Sequence, residues 1–173
     1  VTVDADENVY TTGQFIGTVD FDPGPEILNL TAPSGNYNIF ISKQDASGNL
    51  LWVKQMTGSS SSKGLSITVD ASGNIYTTGY FSGSVDFDPG LGYAPLGTSG
   101  GIENIFVCKL DASGDFVWAK QMAGGVGDDY GNSIAVDTSG NVYTTGHFKG
   151  TVDFDPGSGY SALISTNVHY DIF

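Results

Sequence analysis

Short runs in which polar and apolar residues alternate recur along the chain. In Ser66–Val69 every second side chain is apolar, which is the period of a strand with one buried face. The run Ile75–Phe81 is rich in β-branched and aromatic residues and predicts a second strand. Asp70–Asn74 lies between the two runs and has the composition of a tight turn, because aspartate accepts local N–H groups and glycine tolerates positive φ. The three segments together predict a β-hairpin.

Two further apolar runs follow and predict a second hairpin. They are Asn104–Leu110 and Phe116–Met122, and a turn of similar composition, Asp111–Asp115, separates them. A long connection, Ser82–Glu103, leads from the first hairpin to the second. No segment shows the 3.6-residue period of a helix. This part of the chain therefore predicts four antiparallel strands.

The same pattern repeats at a fixed spacing. The sequence Val-Asp-Phe-Asp-Pro-Gly begins at Val19, Val85 and Val152, and Tyr-Thr-Thr-Gly begins at Tyr10, Tyr76 and Tyr143. Successive copies of both sequences are 66 and 67 residues apart. Repeats of this length are typical of stacked units, each of which buries its apolar face only against its neighbours. We divide the chain into units 1–66, 67–133 and 134–173, and the last of these is incomplete.

Four-stranded antiparallel units in tandem are the pattern of β-propeller blades. A β-solenoid is the alternative, but its rungs are usually shorter and parallel and lack tight hairpins. We predict an all-β fold with about 2.6 blades, which cannot close alone because a ring needs about four or more. We therefore expect the chain to be part of a longer protein. Glycine recurs at Gly13, Gly79 and Gly146, and we predict that another backbone segment approaches closely there.

Two segments carry a resemblance to a known family. Ile134–Gly146 and Ile105–Gly114 resemble the SBBP β-propeller repeat, and the first is more distantly similar to the NHL repeat. The resemblance covers the whole chain and recurs in every unit. It implies a propeller, usually of about seven blades, within a large secreted or surface-attached bacterial protein. It does not imply an enzymatic activity.

The chain is strongly acidic, with a net charge of −13 from six Lys plus Arg against nineteen Asp plus Glu. Such a surface repels phosphate groups, which argues against nucleic acid and anionic membranes as partners. No run of about 20 apolar residues is present that could insert into a membrane. The single cysteine, Cys108, excludes an internal disulfide. We expect an extracellular or cell-surface location in a bacterium.

The paired aspartates of the Val-Asp-Phe-Asp-Pro-Gly sequence are the best candidates for chemistry. In an extended segment both point to one side, while the phenylalanine between them points to the other. Carboxylate oxygens beside turn carbonyls are ligands that Ca²⁺ accepts, although the spacing is not that of an EF-hand. The candidate calcium sites are one per unit, at Asp20 and Asp22, at Asp86 and Asp88, and at Asp153 and Asp155. The favoured interpretation is that Asp-Pro-Gly serves only as a turn.

Residues that do not repeat are the test for catalysis, because an active site needs a few unlike side chains converging in one pocket. His147 takes the place of Gln14 and Tyr80, and Asp128–Tyr130 lies in the longest turn between two units. His169 follows 22 residues after His147, without an evident third metal ligand. Lone histidines of this kind are typical of surfaces. We predict no catalytic residue, and calcium is the one candidate cofactor.

Two sets of aromatic residues are candidates for binding. Tyr93 and Tyr160 lie in the connection between the second and third strands, where the units differ most, and we predict that they contact a ligand. Trp52 and Trp118 occupy the same place in the fourth strands of successive units. Exposed tryptophans can stack on sugars, but matched positions in alternating strands favour packing between the units.

These observations favour a non-catalytic propeller segment that binds or displays a carbohydrate, a surface polymer or a protein outside the cell. One alternative is a structural component of a cell-surface filament or layer. Another is a propeller polysaccharide lyase or hydrolase, which would need an acid and a base on the first strands that line the central channel. Those strands offer Thr2, Thr68 and Ala135, which argues against an enzyme.

Overall fold

The computed structural model describes residues 1–98, 100–124, 126–166 and 169–173, and only the backbone of Ser34. Within these residues the chain forms seventeen β-strands and one 3-10 turn, and it contains no α-helix. The predicted all-β fold is confirmed. Nor does this part of the chain contain any helix with the length and hydropathy of a membrane span.

The strands follow the repeat, although the first strand of the second unit and that of the third begin before residues 67 and 134, where the sequence divides the units. The first unit contains β1 (Thr2–Val3), β2 (Val9–Phe15), β3 (Gly17–Asp20), β4 (Asn29–Ala32), the 3-10 turn Pro33–Gly35, β5 (Asn38–Gln44) and β6 (Leu50–Gly58). The second contains β7 (Ser62–Val69), β8 (Ile75–Phe81), β9 (Ser84–Asp86), β10 (Pro95–Gly97), β11 (Asn104–Leu110) and β12 (Phe116–Gly124). The third contains β13 (Tyr130–Val136), β14 (Val142–Phe148), β15 (Thr151–Asp153), β16 (Ala162–Ile164) and β17 (Asp171–Ile172).

The four predicted strands of each complete unit form one antiparallel sheet. The order is β1-β2-β5-β6 in the first unit and β7-β8-β11-β12 in the second, and the third unit contributes β13-β14-β17. The first strands of neighbouring units lie close together, since β7 contacts β1 and β2 and β13 contacts β7 and β8. This is the arrangement expected of blades around a central axis.

The long connection between the second and third strands contains a hairpin that the sequence pattern did not predict. In the second unit it is β9–β10, and its first strand pairs with β6, the fourth strand of the preceding unit. In the third unit β15–β16 pairs with β12 in the same way. The first two sheets are therefore six-stranded, whereas β3–β4 of the first unit forms a separate two-stranded sheet.

The tight turns form through the aspartate that begins them. In the turn between β7 and β8, Asp70 Oδ1 accepts hydrogen bonds from the backbone N–H groups of Ser72 and Asn74, both at 2.9 Å. Gly73 adopts a φ of +80°, which favours glycine. Asp4, Asp45, Asp111 and Asp137 accept the same pair of bonds in the other turns. The turn interpretation of these aspartates is confirmed.

The recurring glycine has the predicted role in two of the three units. A Cβ atom at Gly79 would collide with the carbonyl oxygen of Lys63, where β7 carries a β-bulge opposite β8. Gly146 faces the carbonyl oxygen of Tyr130 in the same manner. The first unit differs: a Cβ atom at Gly13 would lie 2.8 Å from the ring of Phe40, and no backbone atom is as close.

The hydrophobic core lies between units, as expected for stacked repeats. One cluster combines Ile39, Ile41 and Met56 of the first unit with residues of the second, including the fully buried Cys108. Trp52 packs against this cluster, and Trp118 packs against the equivalent cluster between the second and third units. Packing of the tryptophans between units, the prediction from their matched positions, is therefore confirmed.

Candidate ligand-binding surface

The structure places the paired aspartates in the turn of each hairpin, where they accept backbone hydrogen bonds. In the second unit, Asp86 Oδ1 accepts the N–H groups of Asp88 at 3.1 Å and Ala94 at 2.9 Å, and Asp88 Oδ1 accepts that of Gly90 at 2.7 Å. The pairs in the other two units, Asp20 with Asp22 and Asp153 with Asp155, form the same bonds. One oxygen of every carboxylate is thus engaged by the turn itself.

This arrangement bears on the predicted calcium sites. Among the residues that the structure describes, no three or more His, Cys, Asp or Glu side chains are grouped so that they could hold a metal ion. Ca²⁺ takes about six to eight oxygen ligands, so each pair would need backbone carbonyls and water to complete the set. The turn accounts for the hydrogen bonds that are present. Calcium at these pairs stays a prediction.

Asp22 differs from its counterparts, although the sequence predicted three equivalent sites. Asp22 Oδ1 accepts the N–H of Gly24 at 2.6 Å, as in the other units. In those units a glycine, Gly92 or Gly159, lies so close that a Cβ atom on it would collide with Oδ2 of the second aspartate. At the matching position the first unit has Glu26. The first unit therefore lacks the glycine that lies against the second aspartate in the other two units, and calcium at Asp22 stays a prediction like calcium at the other pairs.

The structure places the two predicted ligand contacts at the tips of the hairpins. Tyr93 and Tyr160 are each 76% exposed, and Ile27 at the same position in the first unit is exposed to the same extent. The hairpins form the outer edge of the six-stranded sheets. Both tyrosines are therefore accessible to a ligand, and their role in binding stays a prediction.

A group of aromatic side chains that sequence reasoning did not assemble lies between the second and third units. We call Tyr80, Tyr130, His147 and Tyr170 the aromatic cluster. The ring of His147 stacks on that of Tyr130 with centroids 4.7 Å apart and planes 29° apart. Tyr80 meets Tyr130 edge-on at 4.8 Å, and Tyr170 meets His147 edge-on at 4.9 Å. The four rings form one continuous contact surface.

Strand pairing brings the cluster together. Tyr130 begins β13 and lies directly opposite His147, near the end of β14. Tyr80 lies near the end of β8, which packs beside β13, and Tyr170 directly precedes β17. These positions are at the opposite end of the sheets from the Asp70 turn. Tyr170 is exposed, and the other three rings are half-buried.

Polar groups surround the rings. Asn132 Nδ2 and His147 Nδ1 are 2.9 Å apart, a hydrogen-bonding distance. Burial raises the pKa of Tyr130, and a hydrogen bond to Glu103 and the charge of Glu103 raise it further. Burial and the charge of Glu103 also raise the pKa of Tyr80. The surface therefore combines aromatic faces with a carboxylate and an amide.

Asp129 is a buried carboxylate directly beside the cluster. Its Oδ1 atom accepts the backbone N–H of Lys149 at 2.9 Å, while Oδ2 has no hydrogen-bond partner among the described residues. Burial raises the pKa of this carboxyl to about 6, against the effect of the Lys149 N–H and with a smaller contribution from the charge of Asp128. Asp129 takes the place of Ser62 in the preceding unit.

Aligned positions could have revealed the cluster from the sequence. The residues at the junction between the first and second units that correspond to its four members are Gln14, Lys63, Tyr80 and Glu103. The change to Tyr80, Tyr130, His147 and Tyr170 one unit later makes this junction aromatic. His169, the other histidine singled out from the sequence, is exposed.

The repeated sheets and the inter-unit core define a β-propeller repeat protein. A family model described as "Beta-propeller repeat", SBBP, matches the chain twice, at residues 51–80 and 117–147. Each match runs from the fourth strand of one unit to the second strand of the next. The predicted resemblance to the SBBP repeat is confirmed, and with it the propeller fold.

Two curated proteins are similar to the chain. It is 32% identical over 112 residues to "Uncharacterized WD repeat-containing protein L264" of Acanthamoeba polyphaga mimivirus, which covers 57% of the chain and 8% of that protein. It is 28% identical over 165 residues to "Regulatory protein FlaEY" of Caulobacter vibrioides, which covers 93% of the chain and 17% of that protein. The chain thus spans less than a fifth of either relative.

Proposed function

We propose that the chain is a non-catalytic, carbohydrate-binding segment of an extracellular bacterial β-propeller, and that the aromatic cluster contacts the sugar. The observation that carries this proposal is the convergence of four rings from three strand ends and one loop at a single junction, where they stay partly exposed. By contrast, Phe15, Phe81 and Phe148 share one repeated position and are buried in the interior.

Carbohydrate is the ligand class that this surface favours. Aromatic faces stack on the C–H faces of sugar rings, while tyrosine also offers a hydroxyl for hydrogen bonding. Glu103 and Asn132 beside the rings can accept and donate hydrogen bonds to sugar hydroxyls. The acidic surface, with a net charge of −13, supports a neutral glycan over an anionic one. The alternative ligands, with which a neutral glycan must be compared, are a protein and a surface polymer.

The hairpins supply a second surface. Tyr93 and Tyr160 project from the outer edge of the sheets, and we propose that they add contacts for a long ligand that extends beyond the cluster. Calcium at Asp86 and Asp88 and at their counterparts would stabilise the turns that carry these tyrosines. The sheets shared between units also suit the alternative role, a structural component of a filament or layer, since they stiffen the array.

A binding screen with a matched control tests the proposal. The 173-residue chain is screened against a panel of neutral and anionic glycans, and the variants Tyr170→Ala and Tyr37→Ala are compared on every glycan that binds. Tyr37 is the counterpart of Tyr170 in the first unit and is similarly exposed. We expect Tyr170→Ala to weaken binding by about tenfold and Tyr37→Ala to leave it unchanged. Equal effects of both variants, or binding to no glycan, would contradict the carbohydrate proposal.

A further inference from the structure

The fourth strand of each complete unit is covered by the hairpin of the next unit. Gly58 of β6 lies opposite Val85 of β9, and Gly124 of β12 lies opposite Val152 of β15. A Cβ atom on either glycine would lie 2.8 Å from Cγ2 of the valine that faces it. The pairing therefore requires a residue without a side chain at this point of the fourth strand.

The pairing also continues beyond the strands. The backbone N–H of Ser59 donates to the carbonyl oxygen of Ser84 at 2.8 Å, and the N–H of Ser84 donates to Ser59 Oγ at 3.0 Å. The hairpin is thus connected to the turn that leads into the first strand of its own unit. One short strand joins two units at their outer edge.

The first unit contains the same hairpin in the same register, but its edge is not paired. Val19 lies opposite Leu30 in β3–β4, as Val85 lies opposite Leu96 in β9–β10. Within the described residues, β3 has β4 as its sheet neighbour and no strand on its other side. The hairpin therefore forms without a fourth strand beside it.

Burial shows what the missing strand would cover. Val85 and Val152 are fully buried, whereas Val19 is half-buried. Phe21 contacts Phe40 with centroids 4.9 Å apart, and Phe87 contacts Phe106 at the same distance. Packing within the unit is thus the same, yet Phe87 is fully buried and Phe21 is not. Phe154, which does follow a preceding unit, is also half-buried, so it is the burial of the valine that changes with the presence of a preceding fourth strand.

We propose that the free edge of β3 binds the fourth strand of a further repeat unit that precedes this one in the same polypeptide. The strand that fits has the sequence Trp-Xaa-Lys-Gln-Met-Xaa-Gly, shared by Trp52–Gly58 and Trp118–Gly124. Its glycine faces Val19. The two such strands among the described residues, β6 and β12, already pair with β9 and β15, so a second copy of this chain offers no free one.

The chain geometry favours a covalent connection. Only Ser59–Ser61 separate β6 from β7. A preceding fourth strand followed by a turn of this length would lead directly into the first unit. A short covalent connection gives the strand a high effective concentration at the β3 edge, which a separate chain would lack.

An extended chain tests the proposal. A second copy of residues 1–66 is placed before Val1, which continues the repeat in register. Amide hydrogen exchange of Gly17–Asp20 is measured in the 173-residue chain and in the extended chain. We expect exchange in β3 to slow by about tenfold or more in the extended chain, toward the rate of β9. Unchanged exchange in β3 would overturn the proposal.

Cysteine pairs check the register in the extended chain. We expect Gly58→Cys in the added copy to form a disulfide with Val19→Cys as readily as Gly58→Cys does with Val85→Cys inside the original chain. The control partner is Thr18→Cys, whose side chain points to the other face of β3. Equal cross-linking of Val19→Cys and Thr18→Cys would contradict the pairing. Exchange in β3 of the 173-residue chain is also measured at increasing concentrations of that chain. If exchange slows as the concentration rises, the β3 edge pairs between separate chains, which would contradict a connection within one polypeptide.

Discussion

The carbonyl oxygen of Lys63 occupies the space in which a side chain at Gly79 would lie. The bulge of β7 directs this carbonyl toward β8, so the close approach is a property of the strand pair. Neither strand can move away without opening the sheet at the centre of the described units.

We expect Gly79→Ala to destabilise the chain by about 1–3 kcal/mol, because the added methyl group forces the backbone of β7 and β8 apart. The measurement is urea-induced unfolding followed by circular dichroism. Gly97→Ala is the matched control, since nothing lies within 4 Å of a Cβ atom at that strand glycine. Similar losses in both variants would show that the effect is general to glycine substitution.

The hydrogen bonds of Asp70 predict a loss of stability in acid. Burial opposes ionisation of this carboxyl, but bonds from Asn74, Ser72 and Tyr76 outweigh it and hold the pKa below its usual value. The ionised form therefore stabilises the fold above the unfolded pKa of about 3.9, and that stabilisation is lost as the pH falls through the folded pKa. We expect Asp70→Ala to cost about 1–2 kcal/mol at pH 7 and less at pH 2, measured by thermal unfolding. Asp6→Ala, in an exposed turn position, should have little effect at either pH.

Asp129 predicts the opposite dependence on pH. Its folded pKa of about 6 lies above the unfolded value of about 3.9, so the folded state binds the proton more tightly. The contribution of this group to stability is greatest below pH 4 and is lost as the pH rises through about 6.

The variant Asp129→Asn isolates this group, because the amide oxygen can still accept the Lys149 N–H. We expect the variant to gain stability relative to the parent chain between pH 4 and pH 7, by on the order of 1 kcal/mol. Unfolding midpoints across this range give the difference. A difference that does not change with pH would refute the assignment to Asp129.

Calcium binding at the hairpin turns has a separate test. If Ca²⁺ binds there, millimolar calcium raises the melting temperature and a chelator reverses the change. Asp88→Asn keeps an oxygen that can accept the Gly90 N–H and removes the negative charge, so it should reduce the calcium response while leaving the turn intact. Asp22→Asn makes the same change in the first unit, where Glu26 replaces the glycine beside the turn. A melting temperature indifferent to calcium and chelator would leave the turn as the role of these aspartates.

The amino-acid sequence by itself determined the four main strands of each unit, the tight turns and the repeat. Alternating side chains, an aspartate followed by glycine in every tight turn except the first, where Glu7 has the positive φ, and the recurring glycine of the second strand all act over a few residues. Their effect can therefore be predicted locally. The position of Trp52 between units followed from the repeat, because stacked units bury their faces against one another.

The repeat did not predict that the surroundings of Asp22 differ from those of Asp88. Asp22 and Asp88 occupy the same place in identical six-residue sequences, so the sequence predicted the same site around both. In the structure Gly92 lies so close to Asp88 that a Cβ atom on it would collide with the carboxylate, whereas the first unit has Glu26 at that position. The surroundings of a repeated residue therefore depend on neighbours outside the repeated sequence.

Only the tertiary structure decided which distant segments meet. The strand Ser84–Asp86 has three residues, too few for a recognisable pattern. It pairs with β6 because the preceding sheet lies beside it. Tyr80, Tyr130, His147 and Tyr170 are up to 90 residues apart and meet because two sheets pack side by side. Likewise, the burial of Asp129 depends on the segments that surround it, which no local pattern encodes.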